Sequence, residues 1–121
     1  MVKTEQLIAV KVVEFLESSK CYLDADLRLD YVCYSLGTNR TYASRAIKTI
    51  APSFNALING YRIRHAIGIL KEHPFMPFET LSSQSGFNNR RTFYQAFKLE
   101  TGKTPSDFRH SMFENGILAG K

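Results

Sequence analysis

The chain repeats itself. Residues 39–48 read Asn-Arg-Thr-Tyr-Ala-Ser-Arg-Ala-Ile-Lys, and residues 89–98 read Asn-Arg-Arg-Thr-Phe-Tyr-Gln-Ala-Phe-Lys. Asn39 and Asn89, Arg40 and Arg90, Ala46 and Ala96, and Lys48 and Lys98 are identical, while Ala43 and Phe93, and Ile47 and Phe97, are apolar in both copies. The apolar positions lie four apart, on one face of a helix. Each copy follows a short apolar segment and a glycine: Val32-Cys33-Tyr34-Ser35-Leu36-Gly37 before the first, and Leu81-Ser82-Ser83-Gln84-Ser85-Gly86 before the second, whose turn is one residue longer. Self-similarity of this kind restricts the fold to two like supersecondary units.

Short helix, glycine-containing turn and capped helix form the layout of a helix-turn-helix. The remaining punctuation fits an all-α chain of seven helices, two helix-turn-helix subdomains joined by a long linker helix. Thr4 is expected to cap a first helix of about Thr4–Ser18, with Ile8, Val12 and Phe15 at helical spacing and Leu7 and Leu16 beside them. Cys21–Arg28 reads as a polar connector. A short helix follows from Leu29 or Asp30 to Ser35. The third is capped by Asn39 and runs to about Ile50, with Pro52 closing it. A long helix then covers about Ser53–Glu72 with an apolar stripe of Leu57, Tyr61, Ile63, Ala66, Ile67 and Leu70. After Pro74 and Pro77 come a short helix at about Phe78–Ser83 and another, capped by Asn89, that ends at Gly102. Thr104-Pro105-Ser106-Asp107 combines a cap, a proline at the first helical position and an acid three residues after the cap. It starts a last helix carrying Phe108 and Phe113, and Asn115–Lys121 is expected to fray.

Cys33 and Ser82 fall at matching positions of the two leading helices, where a small side chain lets helices cross closely. Cys33 is therefore expected to pack rather than react. With Cys21, and with His65, His73 and His110 scattered, it makes no metal-ligand set. No catalytic residue, metal or cofactor is expected. No apolar run approaches the roughly 20 residues of a membrane-spanning helix, and the N-terminus lacks a secretory pattern. A cytoplasmic, nucleoid-associated protein is expected, with no membrane partner.

Charge gives the repeat a ligand. Residues 1–30 hold four basic and six acidic groups, and residues 31–121 hold twelve basic and five acidic. No Asp or Glu occurs from Tyr31 to Lys71, where Arg40, Arg45, Lys48, Arg62, Arg64 and Lys71 lie; none occurs from Thr80 to Leu99, which contains Arg90, Arg91 and Lys98. Basic surfaces attract polyanions and gain by counterion release. The outward faces of the two capped helices carry Arg40, Thr41, Ser44, Arg45 and Lys48, and Arg90, Arg91, Gln95 and Lys98. Arginine pairs bidentately with guanine, glutamine with adenine, and Ser and Thr bond either base or phosphate. The expected partner is double-stranded DNA. Major-groove faces recur about every 34 Å, and the 18 residues of Ser53–Leu70 span roughly 27 Å as a helix, so one chain suffices to read two adjacent turns. The rival reading is a helical protein-interaction module, for which charge reversal at Arg90 and Arg91 leaves DNA binding untouched. An enzymatic reading, such as a DNA-repair alkyl acceptor, lacks the activated thiolate it needs.

Ser85-Gly86-Phe87-Asn88-Asn89-Arg90-Arg91-Thr92-Phe93-Tyr94-Gln95-Ala96-Phe97-Lys98, followed by Gly102-Lys103-Thr104-Pro105-Ser106-Asp107-Phe108-Arg109, resembles the signature of the AraC/XylS family of bacterial transcription regulators. Arg62-Ile63-Arg64-His65-Ala66, with Leu70, is similar to the start of that family's linker helix. The resemblance covers about residues 5–112. Ala51-Pro52 departs from it, standing where a glycine is usual. It implies an AraC-type DNA-binding domain over residues 1–121, with helix-turn-helix units at about 29–50 and 78–101, a linker helix at about 53–72 and a C-terminal helix at about 104–114. It further implies base contacts from Thr41, Ser44 and Arg45 and from Arg90, Arg91 and Gln95. Thr38, Asn39, Asn88, Asn89 and Thr92 suit phosphate contacts or caps, and Arg40, Lys48 and Lys98 phosphate contacts. RNA polymerase and a sensor or effector domain outside these residues are the further partners it suggests.

Overall fold

The computed structural model describes residues 3–114, so the expectation for Asn115–Lys121 lies outside the described residues. Among these, seven α-helices and no strand occur: α1 (Thr4–Ser19), α2 (Leu29–Leu36), α3 (Arg40–Lys48), α4 (Phe54–Glu72), α5 (Phe78–Gln84), α6 (Arg90–Thr101) and α7 (Pro105–Glu114). The chain divides into two compact units, Met1–Asn59 and Gly60–Lys121, with α4 running from one into the other. No helix among the described residues is long and apolar enough to cross a membrane, and no group of three or more His, Cys, Asp or Glu there could hold a metal ion.

The first unit buries Ala9, Val12 and Leu16 of α1, Val32 and Cys33 of α2, and Ala43, Ala46 and Ile47 of α3, with Ile58 of α4. Three expectations are corrected here. Thr4 is the first helical residue and not the cap; Lys3 caps α1, its N–H donating to Gln6 Oε1 at 3.1 Å. The stripe of α1 is centred on Ala9-Val12-Leu16, which leaves Leu7 on the exposed side. The polar connector after α1 contains a 3-10 turn, Cys21–Leu23, that buries Tyr22. Lys20, at φ 56°, supplies the left-handed residue that turns the chain out of α1, its N–H bonding Leu16 O.

α3 ends at Lys48 and not near Ile50. Thr49 and Ile50 close it with backbone bonds to Ala46 O and Ile47 O, and Thr49 Oγ1 also donates to Ala46 O at 2.6 Å. Pro52 is the physical reason, because the residue before a proline is pushed out of helical geometry. Ser53 then caps α4, its Oγ accepting from Ala56 N at 3.1 Å.

The second unit is built around aromatic rings. Phe93 and Phe97 are fully buried with Ile63, Ala66, Leu70, Leu81 and Met112, and Phe87 and Ala96 complete the cluster. The rings meet edge to face, Phe93 with Phe87 at 5.4 Å, Phe93 with Phe97 at 5.7 Å and Phe97 with Phe108 at 5.4 Å between centroids, arrangements that add to their area burial. In α7, Thr104 Oγ1 accepts from Asp107 N at 3.1 Å as the start signal requires. This helix buries Pro105 and Met112 but not Phe113, which lies at the surface against Phe75.

Candidate nucleic-acid interface

The two turns close in the same way. Thr38 N bonds Cys33 O at 3.0 Å and Phe87 N bonds Ser82 O at 3.1 Å, around Gly37 at φ 69° and Gly86 at φ 92°. This is the double closure of a left-handed helix end, and only a residue without Cβ takes it freely. Cys33 and Ser82 are both buried, 5% and 3% exposed, as matched packing positions require. Burial, with the Asp30 carboxylate adding to it, pushes the Cys33 thiol up from its ordinary range, so this group is held as a thiol.

The following helices start alike. Asn39 Oδ1 accepts from Tyr42 N at 2.9 Å, and Asn89 Oδ1 accepts from Thr92 N at 2.8 Å. Both asparagines therefore spend their side-chain oxygen on the cap, and the helix-start N–H groups they leave over suit phosphate oxygens. From there the helices match position by position: residues 41–50 and 91–100 have the same order of buried, half-buried and exposed residues throughout. Ala43, Ala46 and Ile47 of α3, and Phe93, Ala96 and Phe97 of α6, face inward.

The outward faces follow from helical geometry. Thr41, Arg45 and Lys48 fall within about 60° of one another around α3, and Arg91, Gln95 and Lys98 do so around α6. All six are exposed, and none has a side-chain partner among the described residues. Their donors are unspent on the protein. Arg40 and Ser44 of α3, like Arg90 and Tyr94 of α6, lie to one flank of these faces. Arg40 donates from Nη1 to Asp30 Oδ1, and Arg90 from Nη2 to Tyr94 Oη at 3.2 Å.

In the first unit Arg40, Ser44 and Lys48 line a hollow of about 530 Å³ with Arg28, Ser53 and Asn55. The sequence alone does not single out Arg28, which stands among acids, yet it is the residue preceding α2 and lines the same hollow as Arg40. On the opposite flank Tyr42 and Arg45 line a smaller hollow with Lys3, which caps α1, and Thr4, its first residue. Tyr42 was missed too; it is half exposed where the second unit has Thr92. In the second unit Asn88, Asn89 and Arg90 border a hollow with Glu79 and Ser83. Thr38 is half-buried at the first turn and Thr92 exposed on α6. Two cations of the acid-free stretch, Arg62 and Arg64, lie over the rings of Phe87 and Tyr61 at 5.7 and 4.6 Å.

Two helix-turn-helix units, each presenting a capped helix whose outer face is cationic and unpartnered, define the class of double helix-turn-helix DNA-binding modules. A sequence model of the helix-turn-helix domain matches residues 32–111. The regulatory protein SoxS of Salmonella typhimurium is 24% identical over 110 residues, covering 90% of this chain and 99% of that protein. The C-terminal domain of AraT, a response regulator from Geobacillus stearothermophilus, superposes with a TM-score of 0.73 at 24% identity, over 90% of this chain and 88% of that one. The chain belongs to the AraC-type helix-turn-helix family, and sequence-specific DNA binding in the regulation of transcription is its function.

Proposed function

We propose that α3 and α6 each enter the major groove of one DNA duplex, in adjacent turns, with Thr41, Ser44, Arg45, Arg90, Arg91 and Gln95 directed at base edges. Thr38, Asn39, Arg40, Lys48, Asn88, Asn89, Thr92 and Lys98 bind phosphates and set the register, and Arg28 joins them on the first unit's flank. The observation that carries this reading is the residue-by-residue match of exposure between 41–50 and 91–100, with the donors on both outward faces left without protein partners. A core alone has no need of two such faces. Groove recognition does, because base edges are read by side-chain donors and acceptors that arrive unpaired. No catalytic step belongs to this function.

The site in the cell is cytoplasmic, at the nucleoid. RNA polymerase and a sensor or effector domain beyond residues 1–121 are the further partners. The AraT module is itself the C-terminal domain of a response regulator, which supports the second.

Selection of bound duplexes from a random pool, followed by anisotropy titration at several salt concentrations, tests the reading. The expected result is a site of two parts with centres about 10–10.5 base pairs apart and an affinity that falls as salt rises. A site of one part, confined to about one helical turn, overturns the two-groove arrangement. Absence of binding at low salt overturns the whole.

A further inference from the structure

Arg90 is unlike the other cations of its helix in being held. Its Nη2 donates to Tyr94 Oη at 3.2 Å, and its guanidinium carbon lies 5.3 Å from the centroid of the same ring. Tyr94 is itself fixed. It is half-buried and meets Phe78 edge-on, at 6.1 Å and 85°, and Phe93 at 5.9 Å and 75°. Phe78 is covered by the guanidinium of Arg109, 4.0 Å from the ring centroid, and Arg109 donates to the Met76 carbonyl. An unbroken series thus runs from α7 through α5 to the head of α6: Arg109, Phe78, Tyr94, Arg90.

The first unit has no such series. Position 44, which matches 94, is a serine, too short to reach the arginine one turn before it, and Arg40 is held instead by the carboxylate of Asp30. The two tethers differ in kind. A carboxylate cancels the charge it holds, whereas a phenol hydroxyl and a ring face leave the guanidinium fully cationic and fix only its direction. An arginine fork offers five N–H donors, so the one spent on Tyr94 leaves the bidentate edge available.

Resting on the DNA reading above, we propose that Tyr94 is a positioning residue for DNA readout: it aims the Arg90 guanidinium before the duplex arrives, and the Arg109–Phe78 stack holds Tyr94 in place. The ordering of a long side chain is then met in the free protein rather than on binding, which favours affinity and base discrimination at the position Arg90 reads. The matched Arg40 lacks this device, and the second unit discriminates more sharply than the first.

A double-mutant cycle on a selected duplex tests this, with wild type, Tyr94→Phe, Arg90→Ala and the double variant, each checked for an unchanged thermal transition. Tyr94→Phe keeps the ring contacts and removes the hydroxyl. It is expected to weaken binding to the selected site about three- to tenfold, to relax preference at the same base pair that Arg90→Ala relaxes, and to leave both the salt slope and the affinity for an unrelated duplex unchanged. In the Arg90→Ala background it is expected to be silent within twofold, while Arg90→Ala itself lowers the salt slope by no more than about one. Wild-type affinity in Tyr94→Phe, or a loss that persists undiminished without Arg90, overturns the positioning role alone. A wild-type chain that binds no duplex overturns the DNA reading and the proposal with it.

Discussion

Asp30 and Arg40 pair at 2.5 Å, the second residue of α2 to the first residue of α3, whereas their counterparts Glu79 and Arg90 do not form an ion pair. The extra residue of the second turn separates the latter two by eleven positions instead of ten, and Arg90 turns to Tyr94. Glu79 still acts on Arg90 at a distance, but less than the Tyr94 hydrogen bond does; both favour the charged guanidinium. One insertion thus leaves one unit with a masked arginine and the other with an open one.

Asp30→Asn is therefore expected to strengthen binding to any duplex several-fold and to steepen the salt dependence by up to about one phosphate contact, because the Asp30 carboxylate no longer competes with phosphate for Arg40. Both partners are largely exposed, 65% and 63%, so the pair contributes under about 1 kcal/mol to folding. Anisotropy titrations across a salt series, with a thermal melt alongside, measure both effects. An unchanged slope means that Arg40 stays clear of phosphate.

The outward faces separate two kinds of residue. Arg91→Ala and Gln95→Ala are each expected to cost about 1–3 kcal/mol at the selected site and to relax preference at one base pair. Lys98→Ala weakens selected and unrelated duplexes alike and lowers the salt slope by about one. Repeating the pool selection with each variant checks the assignment; a change in base preference for Lys98→Ala would move that residue to the base-reading set.

The repeat was legible because it records burial. Ala43 and Phe93, and Ile47 and Phe97, are all fully buried, so apolar spacing and observed exposure coincide. The caps at Asn39, Asn89 and Thr104 were legible because each needs only local geometry. Features that depend on distant partners were not. Leu7 is as apolar as Leu16, and only the direction from which α1 meets its neighbours decides that the first is exposed and the second buried. Tyr22 reads as part of a polar connector until the left-handed Lys20 turns it inward. The tethers on Arg40 and Arg90 are likewise invisible in sequence, since Asp30 lies ten residues from its partner and Tyr94 would serve equally as a core residue.

Matched positions filled by different volumes make opposite demands. Phe93→Ala is expected to cost about 3–5 kcal/mol, because it opens a void where Phe87, Tyr94 and Phe97 pack on one ring. At the matched position Ala43→Phe is expected to destabilise by overpacking against the small-residue core of the first unit, by at least about 1–3 kcal/mol. Urea denaturation of each variant measures the cost, and tolerance of Ala43→Phe would contradict the close α1–α3 packing.

The two cysteines provide a test of burial that needs no DNA. Cys33 is buried and its thiol pKa is raised, by burial first and by Asp30 second, with Arg40 opposing. Cys21 is half-buried. At mildly alkaline pH a thiol-alkylating reagent is expected to modify Cys21 in the native protein and Cys33 only as the fold opens, since the thiolate is the reactive form. The folded state holds the Cys33 proton to higher pH than the unfolded chain does. This contribution to stability is therefore complete below the unfolded thiol's range and is lost as pH rises through the folded value. Asp30→Asn removes the second cause but not the first, so Cys33 stays protected in that variant while its DNA affinity rises. Mass spectrometry after timed alkylation reads the order of modification; equal rates at the two thiols would place Cys33 at the surface and undo the packing role given to it and to Ser82.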